Sequence, residues 1–145
     1  MSALTQAEIQ EMAELWYRKL DVHAPLEEFV PLLATEGVKM IFPEATVEGF
    51  EGFKGWYERV ITIFFDEVHT VKEVTADVGA DGKANVKVVV KWEASVWNPP
   101  APYSARIVLD AYQTWEVIRS PETGKPVVLT YTVDKLEYAE GSAKL

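Results

Sequence analysis

The sequence has no cysteine and only two histidines, and no run of apolar residues in it is long enough to span a bilayer. The first absence excludes a disulfide framework, a thiolate metal site and a cysteine nucleophile. The second leaves little for a metal centre, and no His-x-x-x-His or Asp-x-Asp-x-Asp-Gly spacing appears, so no metal site is expected. A membrane helix needs roughly 18 or more apolar residues in succession, so no membrane partner is expected. Clustered Lys or Arg is missing too: 14 basic residues face 23 acidic ones, for a formal charge of −9. A nucleic-acid binder needs a basic stripe to displace counterions, so no nucleic-acid partner is expected. Gly-x-Ser-x-Gly, a P-loop and Gly-x-Gly-x-x-Gly are all absent, and no cofactor is expected. The start lacks a basic segment followed by an apolar one, which predicts no signal peptide and a cytoplasmic protein.

What is present is apolar and aromatic. Apolar residues make up 48% and aromatic residues 12% of 145 positions, enough for a buried core in one domain spanning 1–145. Thr5 and Glu8 have capping-box spacing, and Ile9, Met12, Ala13, Trp16 and Leu20 then recur on one helical face. Pro25 suits the start of a second helix, with Leu26, Phe29, Val30 and Leu33 as its buried side. Pro31 implies that this helix is short or kinked, and Gly37 is a stop signal. Residues 38–42 read as a short strand, with 46–48 as its partner. Gly49 and Gly52 introduce a third helix, apolar nearly all round from Phe53 to Phe65, which predicts burial on more than one side.

After Val68 the period changes from helical to strand-like. Strands are predicted over 68–78, 86–97, 105–119 and 127–138, the first two joined by an Asp-Gly turn at Asp81-Gly82. Val86, Val88, Val90, Trp92 and Ala94 alternate with polar residues, as do Ile107, Leu109, Ala111, Gln113, Trp115 and Val117. Helices at the front and hairpins behind give an α+β fold: three N-terminal helices packed in a curved, mainly antiparallel sheet.

The order helix–helix–strand–helix–meander, with Trp16-Tyr17-Arg18-Lys19-Leu20-Asp21, Gly52-Phe53-Lys54-Gly55-Trp56-Tyr57 and Phe65-Asp66-Glu67-Val68-His69, resembles the nuclear-transport-factor-2-like superfamily. Tyr112-Gln113-Thr114-Trp115-Glu116 and Tyr131-Thr132-Val133-Asp134 extend the likeness to its SnoaL-like branch of cyclases, isomerases and dehydratases. The resemblance implies a cone-shaped domain, open at one end to a small apolar molecule, whose outer sheet face packs on a second copy as a homodimer. Function varies widely on this scaffold and must be argued from the site.

The resemblance places Asp21 and His69 where scytalone-dehydratase-like members hold an acid–base pair. A carboxylate beside an imidazole fixes its tautomer and favours proton transfer near neutral pH. The second histidine of that site has no counterpart near residues 92–96. Phe42 stands where ketosteroid isomerases have their proton-shuttling Asp, and Trp16 matches their oxyanion-stabilising Tyr, with Tyr17 one residue on. Arg106, Asp110 and Asp134 are available for an epoxide-hydrolase-like set but read as outer-face charges. Trp16, Tyr17, Phe42, Tyr57, Trp92, Gln113, Trp115 and Tyr131 are the expected lining of an apolar substrate cavity. The loop at 97–103 is placed to cover its mouth, and His23 reads as an exposed loop residue.

These residues support a cofactor-independent lyase, isomerase or cyclase acting on a polyketide- or terpenoid-like compound. The alternative is that Asp21 ends a helix, His69 is a satisfied half-buried histidine, and the chain is a non-catalytic small-molecule-binding or association domain.

Overall fold

The computed structural model describes residues 2–145. Helix α1 (Gln6–Asp21) starts at the expected capping box: the Glu8 N–H donates to the Thr5 hydroxyl and the Thr5 N–H to the Glu8 carboxylate, each at 3.1 Å. Its buried face is Ile9, Met12, Ala13, Trp16, Tyr17 and Leu20, and burying each aliphatic side chain of this kind contributes about 2 kcal/mol. A 3-10 helix (Leu26–Leu32) follows, and α2 (Gly49–Ile63) comes after two short strands. The tighter 3-10 turn accommodates Pro31 and rotates the apolar set. Phe29, Leu32 and Leu33 are buried, whereas Val30, expected inside, is exposed.

Six strands form one curved mixed sheet: β1 (Lys39–Ile41), β2 (Thr46–Glu48), β3 (Phe64–Val78), β4 (Ala84–Val96), β5 (Ala105–Arg119) and β6 (Pro126–Tyr138), in the order β2-β1-β6-β5-β4-β3. Four strand pairs are antiparallel. The fifth, β1 with β6, is parallel and sets Met40 opposite Tyr131. The alternation read from β4 and β5 matches the observed burial, with Val86, Val88, Val90, Ile107, Leu109, Gln113, Trp115 and Val117 all inside.

Two boundaries differ from expectation in ways that shape the interior. Helix α2 stops at Ile63, so Phe64 and Phe65 belong to β3. Only Phe53 and Tyr57 of that helix are buried, because Trp56, Val60 and Ile63 border a cavity instead of packing against a second layer. Strand β3 carries a bulge between Phe65 and Val68, where Asp66 has φ +51°. A bulge re-aims the side chains beyond it. Here Glu67 turns inward and is buried, and His69 follows it two residues on.

Candidate active site

The concave side of the sheet and the helices enclose a cavity of about 340 Å³, within the usual range for small-molecule sites. Tyr17 and Leu20 reach it from α1, Trp56 and Val60 from α2, and Phe42 from the end of β1. Glu67, His69, Trp92, Gln113 and Tyr131 supply the sheet side.

Asp21, the last residue of α1, holds His69 at two points. Its Oδ2 accepts from the His69 backbone N–H at 3.0 Å, and its Oδ1 lies 2.6 Å from Nδ1. An ionised carboxylate only accepts, so Nδ1 carries the proton and Nε2 keeps its lone pair. The ring lies between Tyr17 (centroids 4.8 Å apart, 27° between planes) and Trp92 (6.2 Å, 22°). Only 8% of the His69 side chain is exposed. The imidazole is therefore fixed in tautomer, plane and position.

A second polar cluster lies among the buried aromatics. Gln113 Oε1 accepts from the Tyr17 hydroxyl at 3.0 Å and from Trp115 Nε1 at 2.9 Å. An indole nitrogen can only donate, which fixes the orientation of the amide. Tyr17 spends its proton on Gln113, so the 2.9 Å contact between Tyr17 and Tyr131 has Tyr131 as donor. Gln113 Nε2 is left on the side of the Tyr131 hydroxyl, and the residue borders the cavity. Burial raises the Tyr17 phenol well above its ordinary value, with the Tyr131 hydroxyl adding to it, and raises Tyr131 to about 12. Both are neutral donors through the physiological range.

Of the expected lining, Tyr17, Phe42, Trp92, Gln113 and Tyr131 border the cavity together with His69. Trp16, Tyr57 and Trp115 do not, and pack behind that wall. Trp115 stacks on Tyr131 (5.0 Å, 28°), Trp16 meets Phe29 edge-on at 5.3 Å, and the Tyr57 hydroxyl donates to the Ala24 carbonyl at 2.6 Å. The loop at 97–103 does not border the cavity: Trp97 is half exposed and donates to the Ala101 carbonyl at 2.7 Å. Pro43, Glu44, Arg59 and Leu145 border it instead. Arg106, Asp110 and Asp134 are not assembled into a set. Arg106 donates to the Asp66 carbonyl (2.7 Å) and Ser95, Asp110 pairs with Lys72, and Asp134 accepts from Thr114.

Two groups escaped the reading of the sequence. Glu67 is buried at the cavity wall, where its Oε1 accepts from Trp92 Nε1 at 3.1 Å. His23 is no free loop residue, because its Nε2 pairs with Glu67 Oε2. Strand parity carried the signal for Glu67, two residues before His69 and so on the same face. Starting the strand at Val68 hid it. Among the described residues no three His, Asp or Glu side chains converge as a metal site, and no described helix is long and apolar enough to cross a membrane.

No protein-family model matches the chain, and no curated protein sequence does. Solved structures do resemble it. A candidate scytalone dehydratase from Novosphingobium aromaticivorans superposes with TM-score 0.71 and 18% identity over 96% of this chain and 87% of the other. The hexachlorocyclohexane dehydrochlorinase LinA-type3 from Novosphingobium barchaimii gives 0.74 and 14% over 97% and 93%. ActVI-ORFA from Streptomyces coelicolor gives 0.66 and 12% over 91% and 95%. Such neighbours have the nuclear-transport-factor-2-like, SnoaL-like fold, and it is the fold of this chain. At these identities the likeness extends to fold alone.

Proposed function

We propose that the protein is a cofactor-independent lyase, isomerase or cyclase that removes a proton next to the carbonyl of a small, largely apolar compound. The observation that carries this reading is the Asp21–His69 pair, with Nδ1 on Asp21 and Nε2 free at an aromatic cavity. In the proposed step the Nε2 lone pair takes the proton, and the C–H electron pair becomes the C=C bond of an enolate. His69 is the catalytic base and Asp21 the positioning residue. The negative charge on the enolate oxygen is met by an Nε2–H of Gln113, whose amide Tyr17 and Trp115 orient beforehand. Phe42, Trp56 and Trp92 supply apolar surface that holds the compound and excludes water. Dehydratase and dehydrochlorinase names among the similar structures point to eliminations, which likewise remove a proton from carbon.

The test uses β-tetralone, a bicyclic ketone of suitable size, in deuterated water. Enzyme-dependent exchange of its α-hydrogens, read by mass spectrometry and lost in His69→Ala, supports the proposal. Binding of β-tetralone without exchange in the wild type contradicts it and favours a non-catalytic binding protein.

A further inference from the structure

Glu67 is a carboxyl group with 2% of its side chain exposed, on the wall of a cavity that is otherwise almost wholly apolar. Burying a lone carboxylate is costly, and it is tolerated when a partner shares the charge or the proton. The partner is His23, whose side chain is 28% exposed and so reaches solvent. If Glu67 served only to anchor the Trp92 indole, any acceptor would suffice, and a second titratable partner would not be needed.

The backbone on both sides supports the same assignment. His23 has φ +49°, just past the C-terminus of α1, where glycine is the unstrained choice. Asp66, immediately before Glu67, has φ +51° at the β3 bulge, and Arg106 holds its carbonyl at 2.7 Å. Two non-glycine residues in the left-handed region that glycine favours thus bring one ionisable pair together at the cavity, and strain of this kind persists where the surroundings enforce it. Glu67 and His69 project from the same strand face, with Cα atoms roughly 7 Å apart on strand geometry. Trp92 links them by hydrogen-bonding Glu67 and stacking on His69. The other titratable groups near the pair are Tyr57, whose phenol the Glu67 charge helps to raise, together with Asp21 behind His69 and Glu44 and Arg59 at the cavity border.

We propose that Glu67 is the general acid of this site and His23 its proton link to solvent, so that the cavity is built to eliminate water from a β-hydroxy carbonyl compound. This rests on His69 acting as the base. His69 Nε2 takes the α-proton, and the C–H pair becomes the new C=C bond. The β C–O bond breaks with its pair on oxygen, and the Glu67 carboxyl proton converts that oxygen to water. The pair then takes one proton back from solvent through His23, while His69 returns its proton to solvent. No oxidant or further reactant is needed.

The probe is the β-hydroxy ketone aldol of benzaldehyde and acetone, which loses water to give benzylideneacetone. One incubation in deuterated water reads two events: α-hydrogen exchange, which needs the base, and enone formation, which needs base and acid. Glu67→Gln keeps an acceptor for Trp92. We expect it to lower the ratio of enone formation to exchange by roughly 10²- to 10⁴-fold. His23→Gly suits the local backbone and leaves a solvent-facing gap. Its enone formation should fall and be restored by added imidazole, which a purely structural role would not allow. An unchanged ratio in Glu67→Gln, or no rescue of His23→Gly, overturns the assignment of the acid, and wild-type exchange without enone formation does the same. Exchange that survives His69→Ala instead overturns the reading of the base, a separate result.

Discussion

Asp21 reaches across 48 positions of sequence to accept hydrogen bonds from both the backbone N–H and the ring Nδ1 of His69. Replacing it by Asn presents an amide that can donate to Nδ1, which would move the proton to Nε2 and leave the base in the wrong tautomer. Asp21→Asn should therefore lower α-hydrogen exchange into β-tetralone by about 10²-fold or more and leave the melting temperature close to that of the wild type. A variant that exchanges at the wild-type rate would remove Asp21 from its positioning role.

Gln113 has a structural and a chemical part to play, and the two separate by substitution. Gln113→Leu leaves the buried Tyr17 hydroxyl and Trp115 indole without their acceptor, which should cost about 2–4 kcal/mol in urea unfolding. Gln113→Glu keeps the acceptor and removes the amide N–H groups. Its stability should suffer less while exchange falls. Equal stability losses in the two variants would contradict the orientation assigned to the amide.

Alkali should loosen the protein through its buried phenols. Burial, with the Glu67 charge next, raises Tyr57 to about 12, burial raises Tyr131 to about 12, and burial raises Tyr17 well above 10.0. A raised folded-state value favours the protonated form. The stability linked to these groups is therefore complete below pH 10 and is lost as pH rises towards about 12. Phenolate absorbance should show part of the six tyrosines ionising late, together with unfolding, and Glu67→Gln should bring Tyr57 down. Six tyrosines titrating together near 10 without loss of structure would refute this.

At the acid end the Glu8–Arg119 pair is the sensitive contact. Hydrogen bonding from the Arg119 guanidinium, opposed in part by burial, holds Glu8 at about 2 instead of 4.5. Arg119 also ties down the Ser2, Ala3 and Gly124 carbonyls. A depressed carboxyl stabilises above its unfolded value, so this contribution is present above about pH 4.5 and disappears as pH falls through about 2. In Arg119→Gln, carbon-detected NMR should find Glu8 titrating closer to its ordinary value, and no change would disprove the coupling.

Local features of the sequence were read well, because their causes are local. The Thr5–Glu8 capping box, the Asp81-Gly82 turn and the alternation from Val86 to Val117 depend only on near neighbours. The parallel pairing of β1 with β6 was not readable, since it joins Lys39 to Thr130 across most of the chain. Asp21 and His69 emerged through family resemblance, not through any local pattern. His23 was missed because a left-handed residue after α1 decides where it points, and Glu67 because the bulge in β3 put the apparent start of the strand at Val68, one residue beyond it. Neither device has a strong signature when His or Asp stands in place of glycine. The tryptophans show the converse: composition made an aromatic wall expected but could not separate Trp92 at the cavity from Trp16 and Trp115 behind it.

The most direct measurement is the rate of deuterium incorporation into the α-positions of β-tetralone by wild type and His69→Ala, compared at equal concentration and neutral pH. A fixed imidazole base with a free Nε2 predicts exchange well above the buffer rate in the wild type and a drop of roughly 10²-fold or more in the variant. Exchange at the buffer rate in both proteins, or equal enzyme-dependent exchange in both, would contradict it.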